Sequence, residues 1–154
     1  MRDFEKDFEK IIQELSPIAT LEGEARNKAL LELEQRKTER RIQWLKDKYP
    51  HFHASNLQEV YIVFYQEYFQ LSPDDGNIIT LSDTELITRW RNPCPVLKAC
   101  VRLHLETSEI CQKVYEQPCQ ALLSRLNQHL SFSRDYTLIR PYVDFCEEKI
   151  KLNI

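Results

Sequence analysis

The segment Asn92-Pro93-Cys94-Pro95 holds the residues best suited to chemistry in this chain. Proline is favoured as the first residue of a helix because its missing N–H would have no intrahelical partner there. Cys94 is therefore predicted at the N-cap of a helix, where free backbone N–H groups and the helix dipole favour the thiolate. Such a thiol could act as a nucleophile or as a ligand.

Three cysteines are candidates for one shared site. Cys111 is predicted in the first turn of a helix capped by Thr107, and Cys146 in the last predicted strand. Because Cys94, Cys111 and Cys146 lie on separate elements, a small sheet could bring them together. Their thiolates would then suit zinc or an iron–sulfur cluster, or would line a small-molecule pocket. No Cys-x-x-Cys pair supports a metal site locally.

The other two cysteines are predicted in less distinctive settings. Cys119 follows Pro118 at another predicted helix start, and Cys100 is expected to pack in the core. Buried structural thiols are the alternative for all five cysteines. The charged first residues do not form a signal peptide, so reduced thiols and a cytoplasmic location are expected.

Two arginines could bind an anion near the last strand. Arg134 and Arg140 could clamp a carboxylate between them. The alternative is structural pairing with nearby acidic side chains, namely Asp144, Glu147 or Glu148.

A hydrolase that uses Cys94 as its nucleophile is a further hypothesis, and it requires a nearby base. His104 and His129 are the only histidines in the cysteine-bearing half, and neither has a supporting local feature. Serine hydrolysis has no nucleophile elbow here, since that motif needs glycines around the serine.

Composition excludes other function classes. The chain of 154 residues has two glycines, Gly23 and Gly76, which excludes a dinucleotide fingerprint or a phosphate loop. The net charge of −3 argues against nucleic-acid binding, which needs an excess of positive charge. No apolar run approaches the ~20 residues of a membrane span.

The first half of the chain is predicted to be helical. An apolar stripe from Phe4 to Leu15 indicates a short amphipathic helix that ends at Ser16-Pro17. Ser55 and Gln58 form a predicted capping box for an aromatic-rich helix through Gln70. Its aromatic side chains would form either core or the wall of a pocket for a flat ligand.

Between these helices, a long helix is predicted from Glu22 to Lys48, with apolar ends and a polar middle from Glu34 to Arg41. This pattern is typical of a protruding or partner-bridging element. We therefore expect a homodimer through the N-terminal helices. The basic side chains in the middle are interpreted as a solvated face; they are Arg36, Lys37, Arg40 and Arg41.

Past Gly76 the pattern changes to two-residue alternation. Strands are predicted at Asn77 to Leu81, Glu85 to Arg91, Leu130 to Tyr136 and Phe145 to Leu152. A capping box at Ser82 and Glu85, followed by a short helix, is the alternative for the second. Helices are predicted at Pro95 to Leu105, Ser108 to Tyr115 and Pro118 to Leu126. The fold class is therefore α+β with a small antiparallel sheet.

We expect one domain over residues 1–154, made of a helical arm (1–50) and a cysteine-bearing core (55–154). In this core, a strand is followed by Cys94-Pro95 at a helix start, Cys111 on the next helix and Cys146-Glu147 on the last strand. This order resembles the small α+β superfamily that includes L-2-amino-thiazoline-4-carboxylate hydrolase-like proteins and the 4-vinyl-reductase ligand-binding domain.

The resemblance covers about residues 77–152 and implies a cysteine-bearing pocket for a small-molecule or tetrapyrrole-type ligand, with metal in some members. The segment from Arg140 to Asp144 stands where such domains usually have glycine-rich turns. Three functions follow from the sequence: a binding module with a cysteine-centred site, a Cys94-dependent hydrolase of a small C–N or C–S compound, or a helical protein-interaction adaptor with structural cysteines.

Overall fold

The computed structural model of the protein describes residues 3–154 and has the predicted α+β architecture. Its helices are α1 (Phe4–Thr20), α2 (Gly23–Lys48), α3 (Leu57–Val60), α4 (Pro95–Leu103), α5 (Thr107–Ile110) and α6 (Glu116–Leu126). Two π-helical segments, π1 (Tyr61–Tyr68) and π2 (Cys111–Tyr115), continue α3 and α5, and a 3₁₀ turn spans Pro73–Asp75. The strands are β1 (Gly76–Leu81), β2 (Glu85–Trp90), β3 (Leu130–Arg134) and β4 (Cys146–Leu152).

Helix α1 extends beyond the predicted stop at Ser16-Pro17. Pro17 lies inside the helix, and Ile18 is buried on the same apolar stripe as Leu15. Proline removes one backbone donor from the helical ladder, but burial of Ile18 favours another turn. The predicted end of this helix was therefore wrong by about one turn.

Helix α2 is not the protruding element that its polar middle indicated. It packs against α6 and π2, and its buried side chains are spaced by three or four residues along one face. These side chains are Leu30, Leu33, Lys37, Arg41 and Leu45. The interpretation of the basic residues as a solvated face was wrong for Lys37 and Arg41. The homodimer expected through these helices stays a prediction.

The second and third helical segments predicted in the C-terminal half form one run. Segments α5, π2 and α6 follow one another without a break, so Cys119 lies inside this run rather than at a helix start. In the first half, Asn56 rather than Ser55 caps the aromatic-rich helix, by accepting a hydrogen bond from the Glu59 backbone N–H (2.9 Å). None of the helices described in residues 3–154 combines the length and apolar character needed to cross a bilayer.

The four strands form one antiparallel sheet in the order β1-β2-β4-β3. The predicted β1–β2 hairpin is confirmed, and Ser82 and Glu85 close its turn instead of capping a helix. Successive side chains of a strand point to opposite faces. In the register of the sheet, Glu148 on β4 lies opposite Thr88 on one side and Arg134 on the other. These three side chains are therefore neighbours on one face.

Apolar side chains pack in two clusters. The first combines the C-terminal end of α2 with π1, α6 and the sheet. The second combines α1, α4 and π2 with the N-terminal part of α2. Because α2 contributes Leu45 to the first and Leu33 to the second, its polar middle lies where the clusters meet.

Candidate ligand-binding site

A cavity of about 320 Å³ is lined by residues of both apolar clusters. Trp90 and Cys119 come from the first cluster, and Ile11 and Tyr115 from the second. This volume lies at the lower end of the ~300–1,000 Å³ of small-molecule pockets. The cavity is therefore large enough for a compact ligand.

All three cysteines proposed for a shared site line this cavity. Cys94 is the N-cap of α4, as predicted, with Pro95 as the first helical residue and no capping hydrogen bond from its side chain. Cys111 begins π2, and Cys146 begins β4. Cys119 lies on the same wall. Cys100, in contrast, is fully buried in the second cluster, which confirms its predicted place in the core.

The structure does not gather these sulfurs into a metal-ligand set. Within residues 3–154, no group of three or more Cys, His, Asp or Glu side chains is placed to hold a metal ion. The described residues therefore show no set of converging ligands of the kind that holds zinc or an iron–sulfur cluster. The metal hypothesis gains no support from this geometry.

Two of the thiols favour the protonated form. Burial raises the pKa of Cys111, and the nearby Cys94 thiol raises it further, whereas Arg134 acts in the opposite direction. Burial also raises the pKa of Cys100 to about 12. For Cys111, burial outweighs any stabilisation of the thiolate by a helix start.

A buried hydrogen-bond network supports the sheet side of the cavity. Glu148 Oε2 accepts hydrogen bonds from Arg134 Nε (3.0 Å) and Nη2 (2.7 Å). The Tyr65 hydroxyl donates to Glu148 Oε1 (3.0 Å) and accepts from Thr88 Oγ1 (3.2 Å). Thr88 accepts in turn from the Trp90 indole N–H (2.9 Å). Burial and the Glu148 carboxylate raise the pKa of Tyr65, so its hydroxyl stays a donor.

Arg140 joins the segment before α4 to the start of β4. Its guanidinium donates to the Asn92 carbonyl and, through Nη2, to Asn92 Oδ1 (3.3 Å). Its backbone N–H and Nε also donate to Cys146 Sγ (3.4 and 3.3 Å). Both arginines predicted as an anion clamp thus line the cavity with protein partners already in place, Arg134 on Glu148 and Arg140 on Asn92 and Cys146.

No family model, curated protein or solved structure matches this chain. The superfamily resemblance of residues 77–152 stays a prediction.

Two cavity-lining residues on α2 were missed as site residues. Lys37 and Arg41 are both buried and both line the cavity. Lys37 Nζ donates to Glu14 Oε1 (2.7 Å), and Arg41 Nη1 donates to Cys119 Sγ (3.0 Å). The spacing of these residues in the sequence indicates their burial, because Lys37 and Arg41 continue the buried stripe from Leu33 to Leu45 at four-residue intervals.

The π segments were also missed, and both contribute to the cavity wall. Segment π1 presents Tyr65 and Tyr68, and π2 presents Cys111 and Tyr115. Insertions of this type occur frequently at functional sites. In the aromatic-rich helix, Phe64 is core, whereas Tyr68 and the following Phe69 line the cavity. A flat ligand against this wall stays a prediction.

A base for Cys94 is not evident in the cavity. No histidine is found among the described residues that line it, and its carboxylates are Asp7 and Glu148. Glu148 is bound to Arg134 and Tyr65. His104 ends α4 and His129 precedes β3, so neither predicted base belongs to the cavity wall.

Proposed function

We propose that this protein is a small-molecule-binding module whose ligand occupies the cavity between α2, π1, π2 and the sheet. The observation that carries the proposal is that Cys94, Cys111 and Cys146 all line one cavity of about 320 Å³. Preorganised walls favour binding because fewer side chains must be ordered when the ligand enters. The hydrogen bonds of Glu148 and Arg140 supply that order.

The walls favour a flat, largely apolar ligand. Aromatic rings of π1, π2 and β2 surround the space. They belong to Tyr65, Tyr68, Trp90 and Tyr115, together with Phe69 just after π1. Aromatic faces and edges pack well against planar rings. The thiols add polarizable contacts.

A Cys94-dependent hydrolase is the second candidate function. It is favoured by the position of Cys94 at the N-cap of α4, facing the cavity with its side chain uncommitted to capping. Cleavage of a C–N or C–S bond would also need a base and water. Fast alkylation of Cys94 at neutral pH, with slow alkylation in Cys94→Ser, would support this function.

The binding proposal is tested with 2-naphthamide, a flat and uncharged probe small enough for the cavity. Backbone amide NMR shifts of the full chain are followed during titration. We expect saturable binding at one site, with the largest shifts in π1, π2 and the first turn of α4. Absence of saturable binding would contradict the proposal.

Two valines on α4 provide a matched blocking test. Val96 lines the cavity, whereas Val101 is exposed and lies outside it. Val96→Trp should fill part of the space and weaken probe binding at least tenfold, while Val101→Trp should leave it unchanged. Equal binding by both variants would place the probe elsewhere and reject the cavity as the site.

A further inference from the structure

One buried cation of the cavity wall, Arg41, has no carboxylate partner among residues 3–154. Arg41 is 6% exposed, and no acidic side chain of residues 3–154 lies within ion-pair distance of its guanidinium. Its one hydrogen-bond partner among these residues is Cys119 Sγ (3.0 Å). A guanidinium has five N–H donors in a planar fork. Most of its donors are therefore free for another partner.

The other cations of the wall differ from Arg41. Lys37 and Arg40 form ion pairs with Glu14, and Arg134 forms one with Glu148. Lys10 is exposed to solvent. Arg140 also makes no ion pair with the part of the chain that the structure describes, but it is half-buried and its donors bind Asn92 and Cys146. A buried charge is costly unless it is paired. Arg41 is thus the buried cation whose environment is incomplete.

Three aromatic rings surround the Arg41 guanidinium. Its Cζ lies 5.3 Å from the ring centroid of Tyr68, 5.1 Å from that of Phe69 and 6.0 Å from that of Tyr115. Ring faces attract a cation and hold it in place, but they leave the donors at the guanidinium edge unused. The rings therefore orient the fork without neutralising its charge.

A second polar group beside Arg41 also has no partner. The Tyr115 hydroxyl is buried and makes no hydrogen bond among the described residues. Buried polar groups of native proteins are nearly always satisfied. Tyr115 and Arg41 both line the cavity, so one acceptor group of a ligand is the common partner that would complete both environments after a small adjustment of the tyrosine.

We infer that the ligand carries an oxyanion group that binds the Arg41 guanidinium, an inference that rests on the proposed ligand-binding function. The planar fork of arginine matches the two oxygens of a carboxylate or phosphate. The rest of the ligand then extends along the aromatic wall. The inferred ligand is therefore a compact, flat molecule with one anionic end.

Matched probes separate this inference from the binding proposal. 2-Naphthoate and 2-naphthyl phosphate share the ring of 2-naphthamide but carry an anionic group. We expect at least one anion to bind the wild-type chain tenfold or more tightly than the amide, and the preferred anion identifies the oxyanion type. If the amide binds in the cavity and neither anion binds more tightly, the inference fails while the binding proposal stands.

Variants of α2 then locate the anionic end. Arg41→Met should abolish the preference for the anion while leaving amide binding intact, which also shows that the variant is folded. Arg41→Lys should retain part of the preference because the charge remains. Arg36→Met is the control, since Arg36 is exposed on the same helix and lies outside the cavity. A preference that survives in Arg41→Met overturns the assignment to Arg41.

Discussion

Glu147 and Glu148 are adjacent on β4, and their ion pairs differ in burial. The side chains of Arg134 and Glu148 are 9% and 13% exposed, whereas those of Arg89 and Glu147 are 36% and 20% exposed. Removing one partner of a buried pair leaves an uncompensated charge and costs about 3–5 kcal/mol. An exposed pair contributes about 0–1 kcal/mol.

We therefore expect Glu148→Gln to lower the free energy of unfolding by about 3–5 kcal/mol. Glu147→Gln, one residue away, should lower it by at most about 1 kcal/mol. Urea unfolding monitored by tryptophan fluorescence measures both. Equal effects of the two substitutions would show that the network around Arg134 and Tyr65 does not hold the cavity wall.

The Cys100 thiol gives the stability a predictable dependence on alkaline pH. Its folded pKa of about 12 lies above the ~8.5 of an unfolded cysteine. The contribution of this buried thiol to the free energy of unfolding is fully present below pH ~8.5. It is lost as pH rises toward 12, because only the unfolded thiol ionises in that window. The slope for one such group is about 1.4 kcal/mol per pH unit.

We expect Cys100→Ala to reduce the fall in unfolding free energy between pH 9 and 10 by roughly that slope. Burial of Cys111 contributes in the same direction and remains in the variant. Urea unfolding at pH 8, 9 and 10 measures the effect. Val101→Ala is the control, since this neighbour is exposed and does not titrate. The same slope in all three proteins would contradict the prediction.

At the scale of elements, the two glycines have different roles. A Cβ on Gly76, the first residue of β1, would lie 2.3 Å from the Arg89 carbonyl oxygen and 2.6 Å from Trp90 Cε3. Gly23, the first residue of α2, has φ of +59° and open space around it. Gly76 is therefore required by a close approach to Trp90 beside the cavity wall, whereas Gly23 provides a left-handed start for α2.

We expect Gly76→Ala to destabilise the protein more than Gly23→Ala. The first change forces β1 away from Trp90, whereas the second costs only the ~1–2 kcal/mol of a left-handed L-residue. Urea unfolding measures both, and the Trp90 indole NMR shift should move only in Gly76→Ala. A larger effect at Gly23 would contradict the close packing at this end of the hairpin.

The sequence predicted the elements whose periodicity is simple. Alternation located the strands, and Pro95 located Cys94 at the start of α4. The π segments were not predictable in this way, because their eight and five residues are shorter than the ~11–18-residue window in which apolar periodicity is read. Pro17 and Pro118 indicated helix boundaries that tertiary packing overrides.

The candidate site was predictable in part. Cys94, Cys111 and Cys146 line one cavity. The sequence indicated that they lie on separate elements but did not predict the strand order, and their shared role in binding stays a prediction. Arg41 was not singled out, because a charged residue in a polar stretch normally faces solvent. Its place on the stripe becomes visible only when Lys37 and Arg41 are counted with the apolar residues of α2.

For the whole molecule, α2 explains why a cavity exists between two apolar clusters. Leu33 packs in the second cluster and Leu45 in the first, while Lys37 and Arg41 between them line the cavity. Because burial of charge is costly, charged groups at this position favour two clusters over one continuous core. Under the proposed function, a ligand bound there would contact both clusters and stabilise the folded state by mass action.

Because both apolar clusters contain residues of α2, we predict that the two clusters unfold together. Leu33→Ala removes a side chain that is 1% exposed in the second cluster and should cost about 2–5 kcal/mol. In one cooperative unit, that loss lowers hydrogen-exchange protection of α1 and of the sheet by the same free energy. The same loss should shift the unfolding transition detected by the fluorescence of Trp44 and Trp90, which lie in or against the first cluster. The unfolding transition detected by circular dichroism should shift with it. Reduced protection confined to α1 and α4, with an unchanged fluorescence transition, would instead show a helical arm that unfolds separately from the cysteine-bearing core.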